Sequence, residues 1–276
     1  MKHLRLSLAI GMAVLLPIAL VAGRAEAQAT FTLINQDPVG SGLNDAAAKA
    51  PEGGNPGRTL GEQRLIAYQY AMDLWGALLS SDIDIRVQAS FAPLECNLTT
   101  GRITLGSANA VYRKRDFPNA PKAGLEYPAA MANSIAGSDL EPTRDDITTN
   151  FQADLATPRC GNKEEWYYGL QGNAGNMRGG PNFLNVIMHE IGHGLGVSGG
   201  MTIFGTPGAK SIYSELAFSK RANGNINSLS TANFQAAIGA PWDIVWTGAR
   251  ANASARLIAE NRPLLVQTTD ASPVQH

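Results

Sequence analysis

At the centre of the chain stands the stretch Asn185-Val-Ile-Met-His-Glu-Ile-Gly-His-Gly-Leu-Gly196, which carries two histidines four positions apart. An apolar run leads into the histidines and a glycine-rich exit follows them, so the stretch predicts a central, buried helix that ends at Gly194 and Gly196. Residues i and i+4 of an α-helix lie on one face, with Cβ atoms about 5–6 Å apart. His189 and His193 can therefore reach one metal ion together.

The residue types of this pattern suit a zinc ion and a proton transfer. Neutral imidazole nitrogens bind zinc at roughly 2.0–2.1 Å. Glu190 follows the first histidine, so its carboxylate can lie beside the metal and take a proton from water that the metal activates. This His-Glu-x-x-His spacing carries the mechanism of zinc metalloproteases. In the alternative interpretation, two incidental histidines on a buried helix flank a glutamate in an ordinary ion pair, which would leave polar groups buried at a cost.

A catalytic zinc site also requires a third protein ligand, and the sequence leaves its identity open. Metzincins have a third histidine where this chain has Gly199. Glu215 is the candidate we favour, because it lies on a predicted helix after the motif, similar to the gluzincin arrangement. Tyr213 and Asp243 are alternatives. The competing interpretation of Glu215 is a solvated helix glutamate.

The N-terminal segment predicts an exported protein. Lys2 and Arg5 precede an apolar run over residues 6–22, and Ala25-Glu-Ala27 is a small-x-small cleavage signal, so residues 1–27 match a signal peptide. A membrane anchor is the alternative, but the run is short for a span. We expect a soluble, monomeric protein that is secreted or periplasmic. The net charge of -1 gives no reason to expect nucleic acid or an anionic membrane as partner.

The two cysteines, Cys96 and Cys160, predict a disulfide. Export places them in an oxidising compartment, and a chain with 2 cysteines allows one intramolecular pairing. A bridge between them would close a loop of roughly 64 residues and contribute about 4 kcal/mol of stability by the chain-entropy estimate. Two free buried thiols are the alternative.

Local patterns predict the remaining elements. Thr59-Leu-Gly-Glu62 is a capping box that opens a helix to about Ser80. We expect its buried stripe to consist of six apolar residues, namely Leu65, Ile66, Tyr70, Leu74, Trp75 and Leu78. Strict alternation over 83–91 and again over 146–151 predicts strands. Further predicted elements are a short strand at 102–105, helices at 127–135, 211–220 and 230–238, and an extended segment at 242–246.

The layout predicts one α+β domain. The chain shows no internal repeat and no interdomain linker, so residues 28–276 form a single catalytic domain whose last ~25 residues are weakly ordered. We expect a small twisted sheet, a backing helix, the central His-Glu-x-x-His helix and a smaller C-terminal part below a cleft. Trp166-Tyr-Tyr-Gly169 is an edge strand or the entry to a binding cleft, and 169–180 is a Gly/Asn-rich connector.

The chain also resembles a group of bacterial exported His-Glu-x-x-His proteins that are described as protease-associated-domain proteins. The matching segments span most of the mature chain: Gly54-Asn-Pro-Gly-Arg-Thr-Leu-Gly-Glu-Gln-Arg-Leu-Ile-Ala67, Ala89-Ser-Phe-Ala-Pro-Leu-Glu-Cys96, Ala136-Gly-Ser-Asp-Leu140, Trp166-Tyr-Tyr-Gly-Leu170, His189 to Gly196 and Val245-Trp-Thr-Gly248. The resemblance implies a metzincin-like zinc peptidase domain with cysteines at the positions of Cys96 and Cys160. Longer members carry a protease-associated domain after the last segment, and we expect this chain to lack one.

The leading hypothesis is an exported zinc-dependent endopeptidase that acts on protein or peptide substrates. His189, His193 and Glu215 would bind Zn²⁺, and Glu190 would be the general base. Gly199 in place of a third histidine motivates a second hypothesis, a catalytically degenerate protease fold that acts as a binding module. A zinc hydrolase that acts on other bonds is a third.

Overall fold

The structure is a computed structural model that describes residues 28–171, 180–197, 209–240 and 243–249. The predicted signal peptide at 1–27, the predicted weakly ordered tail and Gly199 lie outside the described residues. None of the helices in those four ranges is long and apolar enough to cross a membrane.

The described chain is a mixed α+β structure with five α-helices and several small sheets. The helices are α1 (Leu60–Leu78), α2 (Ala129–Ala136), α3 (Phe183–Leu195), α4 (Ile212–Leu216) and α5 (Thr231–Ile238). The strands are β1 (Phe31–Asn35), β2 (Ile85–Ala92), β3 (Cys96–Asn97), β4 (Arg102–Ile103), β5 (Gly106–Ala110), β6 (Arg113–Lys114), β7 (Tyr127–Pro128), β8 (Ile147–Gln152), β9 (Ala217–Ser219), β10 (Gly224–Asn225) and β11 (Ile244–Trp246).

The main sheet has four strands in the order β1-β2-β8-β5. The first three strands are parallel, and β5 pairs antiparallel with β8 at one edge, with Gly106 opposite Phe151. The predicted alternation in β2 is confirmed, because Ile85, Val87 and Ala89 are all buried. The predicted strand at 146–151 is β8, and the predicted extended segment at 242–246 contains β11.

Helix α1 begins as predicted, but its buried face is not the predicted one. Thr59 Oγ1 accepts a hydrogen bond from the Glu62 N–H, and the Glu62 carboxylate accepts one from the Thr59 N–H, so the capping box is present. The prediction of a stripe of large apolar residues in the core was wrong in part. Tyr70, Leu74 and Leu78 are 39%, 37% and 72% exposed.

Close packing explains which face of α1 is buried. The core face carries mostly small or polar residues together with two large ones; its members are Gly61, Gln63, Arg64, Ala67, Tyr68, Ala71, Met72 and Gly76. A Cβ added at Gly76 would lie 2.6 Å from the carbonyl oxygen of Ala29, just ahead of β1. Because a larger residue cannot fit at such an approach, the helix turns its small side toward the sheet.

Helix α3 lies at the centre of the main core, as the sequence predicted. Ile187 and Ile191 are fully buried, and the Phe183 ring packs edge-on against Phe151 of β8 at a centroid distance of 5.0 Å. A Cβ at Gly194 would lie 2.3 Å from Cγ2 of Ile147, so glycine lets the end of the helix approach β8 closely.

The disulfide between Cys96 and Cys160 is present, with a Cα–Cα distance of 5.1 Å across a sequence separation of 64. It ties β3 to the 3₁₀ turn Pro158–Cys160. The C-terminal part has its own small core around Phe234 and Ile244. The helix predicted at 211–220 is shorter than expected, because the chain leaves α4 at Leu216 and enters β9.

Candidate metal centre

Helix α3 is capped by hydrogen bonds at both ends, and the glycine exit was predicted from the sequence. The side chain of Asn182 accepts a hydrogen bond from the Asn185 N–H at 3.0 Å and caps the first turn. At the other end Gly196 has a φ of 110°, and its N–H bonds back to the carbonyl oxygens of Gly192 and His193. Glycine adopts this left-handed conformation without strain, so the helix ends directly after the motif.

The two histidines lie together on one face of α3. Their ring centroids are 4.4 Å apart and the rings are nearly perpendicular. His189 is exposed and His193 is half-buried. His189 is therefore accessible to solvent, whereas His193 is partly enclosed by the protein.

A backbone carbonyl orients the His193 ring. His193 Nδ1 lies 2.7 Å from the carbonyl oxygen of Val197. Because a carbonyl oxygen only accepts, Nδ1 carries the proton and donates it, which leaves the lone pair on Nε2. Such a second contact is what fixes the tautomer of metal-binding histidines.

Glu190 points to the opposite side, toward the sheet. It is 6% exposed and lies against the first residue of β5, where a Cβ at Gly106 would be 2.8 Å from the Glu190 Cγ and Oε1 atoms. Burial raises the pKa of the Glu190 carboxyl, and the neighbouring His193 acts in the opposite direction to a smaller extent. The carboxyl is thus held in a partly desolvated position next to the histidine pair.

Helix α1 supports the motif from behind. The Trp75 indole N–H donates to the carbonyl oxygen of Met188 at 3.2 Å, and its ring lies 3.5 Å from the position of a Cβ at Gly192. The sequence predicted Trp75 only as core, and it gave no sign of the role of Gly106 or of the Val197 carbonyl. The glycine that directly follows the predicted strand at 102–105 was the one available signal for a close approach at 106.

The structure does not bring Glu215 to the histidine pair. Its Oε1 lies 2.9 Å from Lys122 Nζ, and its Oε2 accepts from Asn227 Nδ2 at 3.0 Å. The hydrogen bonds from Lys122 first, and then from Asn227, hold the pKa of the Glu215 carboxyl below its usual value. Its predicted role as third ligand stays a prediction.

The two alternative ligands have other contacts. Asp243 is buried and accepts hydrogen bonds from Ser219 Oγ at 2.6 Å and from the Arg221 N–H at 2.8 Å. Tyr213 packs against Trp246 with ring centroids 4.7 Å apart, and burial raises its pKa. Across the part of the chain that the structure describes, no cluster of three or more His, Cys, Asp or Glu side chains is placed to hold a metal ion.

Comparisons of the chain with protein-family models, with curated proteins and with solved structures find no match. The interpretation of the site therefore rests on its own residues. His189 and His193 fit zinc as a pair of neutral nitrogen donors on one helix face, and the His193 tautomer leaves Nε2 for a metal.

The edge strand β5 borders the site with backbone groups that make no hydrogen bond to another described residue. The Gln152 N–H donates to the Leu105 carbonyl, and the Val111 N–H donates to the Asp146 carbonyl. These two bonds determine which residues of β5 direct their backbone N–H and C=O groups toward β8. Because hydrogen-bonded and non-hydrogen-bonded pairs alternate along an antiparallel ladder, the odd-numbered residues of β5 form the backbone hydrogen bonds to β8. The N–H and C=O groups of Gly106, Ala108 and Ala110 consequently point toward the open edge, beside Glu190.

Proposed function

We propose that this protein is an exported zinc-dependent endopeptidase with a zincin-like, specifically metzincin-like, catalytic domain. The observation that carries the proposal is the arrangement on α3. Two imidazoles share one face, His193 is held in the tautomer that leaves Nε2 for a metal, and the Glu190 carboxyl is buried against Gly106. Protein or peptide is the substrate class.

Each residue of the site would have its own role in peptide hydrolysis. His189 and His193 would hold the zinc ion, which when bound supplies a Lewis acid for the scissile carbonyl and lowers the pKa of water. Glu190 would take the proton of the attacking water on a carboxylate oxygen and deliver it to the leaving amine nitrogen. The raised pKa of Glu190 favours the first transfer, because it increases the proton affinity of the carboxylate. The Val197 carbonyl would keep His193 in its orientation.

The open edge of β5 supports a peptide as substrate. An extended peptide binds to an exposed sheet edge through main-chain hydrogen bonds and so needs no particular side chain. The outward-pointing groups of Gly106, Ala108 and Ala110 would bind such a strand next to Glu190. The disulfide supports export, because such bonds persist in oxidising compartments.

Glu190→Gln is the decisive variant. We expect it to retain stoichiometric zinc, measured by atomic emission on the purified protein, and to lose casein hydrolysis by about 10²–10⁴-fold, because an amide cannot act as a general base. His193→Ala is the control that should lose zinc and hydrolysis together. Chelator-sensitive hydrolysis that survives in Glu190→Gln would refute the role of Glu190. In the same assay, loss of zinc in Glu215→Gln would identify Glu215 as the third ligand.

A second candidate function is a catalytically degenerate binding module. The ion pair between Glu215 and Lys122 favours it, because this carboxylate is already neutralised away from the histidines. Wild-type protein that contains no stoichiometric zinc, and hydrolyses neither casein nor gelatin after zinc is supplied, would favour the binding module over the endopeptidase.

A further inference from the structure

A buried amide, that of Gln152, lies where β8 meets the hairpin of β3 and β4 that leads into β5. Gln152 is the last residue of β8, and it is fully buried, at 0% exposed. Its neighbour Phe151 pairs with Gly106, the first residue of β5. The proposed function gives the Gln152 side chain no role.

All the hydrogen-bonding capacity of the Gln152 amide is used. Its Oε1 accepts from the N–H groups of Leu94 and Asp154, each at 3.1 Å. Its Nε2 donates to the Thr104 carbonyl and to Cys96 Sγ, each at 3.3 Å. Since an amide side chain has two donors and one oxygen with two lone pairs, no position remains for another partner. The amide can hold only one orientation, because a flip would turn its N–H groups toward two other N–H groups.

These bonds tie both ends of the β3–β4 hairpin to β8. Leu94 precedes the hairpin and Thr104 follows it, so one side chain holds the entry and the exit together. The backbone adds a bond at the next residue, where the Gln152 N–H donates to the Leu105 carbonyl at 2.9 Å. The Gln152 carbonyl accepts from the indole N–H of Trp166, a core residue, at 2.9 Å. The position at which the chain enters β5 therefore depends on Gln152.

The next residue along the chain is Gly106, against which the Glu190 carboxyl lies. A Cβ at Gly106 would be 2.8 Å from the Glu190 Cγ and Oε1 atoms, so the backbone of β5 and the carboxyl are in close contact. Thr104 lies two residues before Gly106. A shift of Thr104 is passed on to Gly106, because the peptide units between them are rigid planes.

We propose that Gln152 is a positioning residue for the Glu190 carboxyl. Its amide holds Thr104, and Thr104 and Leu105 place Gly106 against the carboxyl. The inference rests on the proposed function where it concerns hydrolysis, whereas the placement of β5 is independent of that function.

Gln152→Met tests the proposal, because methionine has a similar length and forms none of the four bonds. Gln63→Met is the matched control. Gln63 is also fully buried, but its Nε2 donates to the carbonyls of Ala50 and Gly57, at 2.7 and 2.9 Å, in the loop that precedes α1. We expect both variants to unfold at lower urea concentrations than the wild type, because each leaves buried backbone groups without partners.

Hydrogen exchange measures the placement of β5 without any hydrolysis. In Gln152→Met the amides of Ser107 and Asn109 should exchange about tenfold faster than in the wild type, relative to the amides of β2, because the entry of β5 is no longer held. In Gln63→Met their relative rates should be those of the wild type. Unchanged relative rates in Gln152→Met would refute the proposal, whether or not the protein is an endopeptidase. Gln152→Asn, whose amide has a shorter reach, replaces Gln152→Met if the latter does not fold, with the same expected effects.

Casein hydrolysis tests the connection to Glu190. We expect kcat to fall by about 10- to 100-fold in Gln152→Met and to stay within about twofold of the wild type in Gln63→Met. Because Gly106→Ala displaces the same carboxyl, adding Gln152→Met to it should lower kcat by much less than Gln152→Met does alone.

The outcomes separate this proposal from the proposed function. A wild-type kcat in Gln152→Met, or a full effect of this change in the Gly106→Ala background, would refute the role of Gln152 and leave the endopeptidase intact. Absence of hydrolysis by the zinc-loaded wild type would refute the endopeptidase, and hydrogen exchange would still decide whether Gln152 places β5.

Discussion

Among single residues, Gly106 determines where the Glu190 carboxyl can lie. The Glu190 side chain occupies the space that any other residue at 106 would fill, since a Cβ there would be 2.8 Å from its Cγ and Oε1 atoms. Two features therefore position the carboxyl: α3 carries the Glu190 side chain, and the lack of a side chain at Gly106 leaves the space that it occupies. A small addition at 106 should move it.

Gly106→Ala tests this dependence. We expect the fold to persist and hydrolysis to fall by about 10²-fold, because a displacement of about 1 Å at a catalytic group has that effect. Ser107→Ala, the neighbouring position of the same strand, is the matched control and should keep wild-type activity. Full activity in Gly106→Ala would mean that the Glu190 position tolerates displacement.

Asp146 is a second buried carboxyl, in a position that disfavours its charge. It accepts hydrogen bonds from the Arg86 N–H and from Asn133 Nδ2. Burial raises its pKa from 3.8 to about 6, the Arg86 N–H opposes this, and the charges of Asp139, Asp84 and Asp145 add to it. The folded protein therefore binds this proton more tightly than the unfolded chain does.

Stability should consequently fall with rising pH through this group. The contribution is complete below pH 3.8 and is lost as the pH rises through about 6. Urea unfolding at pH 5 and pH 8 should show a loss of about 1–2 kcal/mol that is absent in Asp146→Asn. The same pH dependence in wild type and variant would assign the effect to other groups.

At the level of elements, the sequence predicts the existence of helices and strands better than their orientation. Periodicity and capping are local, so α3, the start of α1 and the strands β2 and β8 could be predicted. Helix α1 carries apolar residues on both sides, and which side faces the core depends on the close approach of Ala29 to Gly76. That approach is a tertiary contact, and periodicity contains no information about it.

Substitutions on the two faces of α1 should differ accordingly. Leu78→Lys, at a position 72% exposed, should change the free energy of unfolding by no more than about 0.5 kcal/mol. Ala71→Leu, on the fully buried face, should destabilise the protein by about 1–3 kcal/mol through overpacking. Urea denaturation of both variants measures this contrast. If Leu78→Lys were the more destabilising variant, α1 would instead face the core with the apolar stripe that was predicted from the sequence.

Over the whole molecule, the disulfide connects two segments of the chain that lie far apart in sequence. Cys96 begins the β3–β4 hairpin that leads into β5, and Cys160 lies beyond β8. The pairing could be predicted, because 2 cysteines allow one intramolecular bond. The strand order of the main sheet could not be predicted, because the partner of each strand depends on residues that are far away in the sequence. The candidate site was predictable where it lies on one helix, at His189, Glu190 and His193.

Replacing both cysteines by alanine should lower the free energy of unfolding by about 4 kcal/mol, because the unfolded chain regains the freedom of a long loop. Guanidinium denaturation of the double variant measures the loss. Addition of reductant to the wild type should reproduce it, and reductant should not affect the double variant. A loss below about 1 kcal/mol would show that the bridge contributes little to stability.

The parallel register of the main sheet has a consequence for how the chain folds. Phe31 pairs with Ile85, 54 positions later, and Val87 pairs with Ile147, 60 positions later. Pairings of such high contact order form slowly, because long loops must close before any contact is gained. Until β8 arrives, the apolar strand β2 has an open edge that other chains can join. We therefore expect the nascent protein to pass through an aggregation-prone interval, which ends when residues 147–152 occupy the place between β2 and β5.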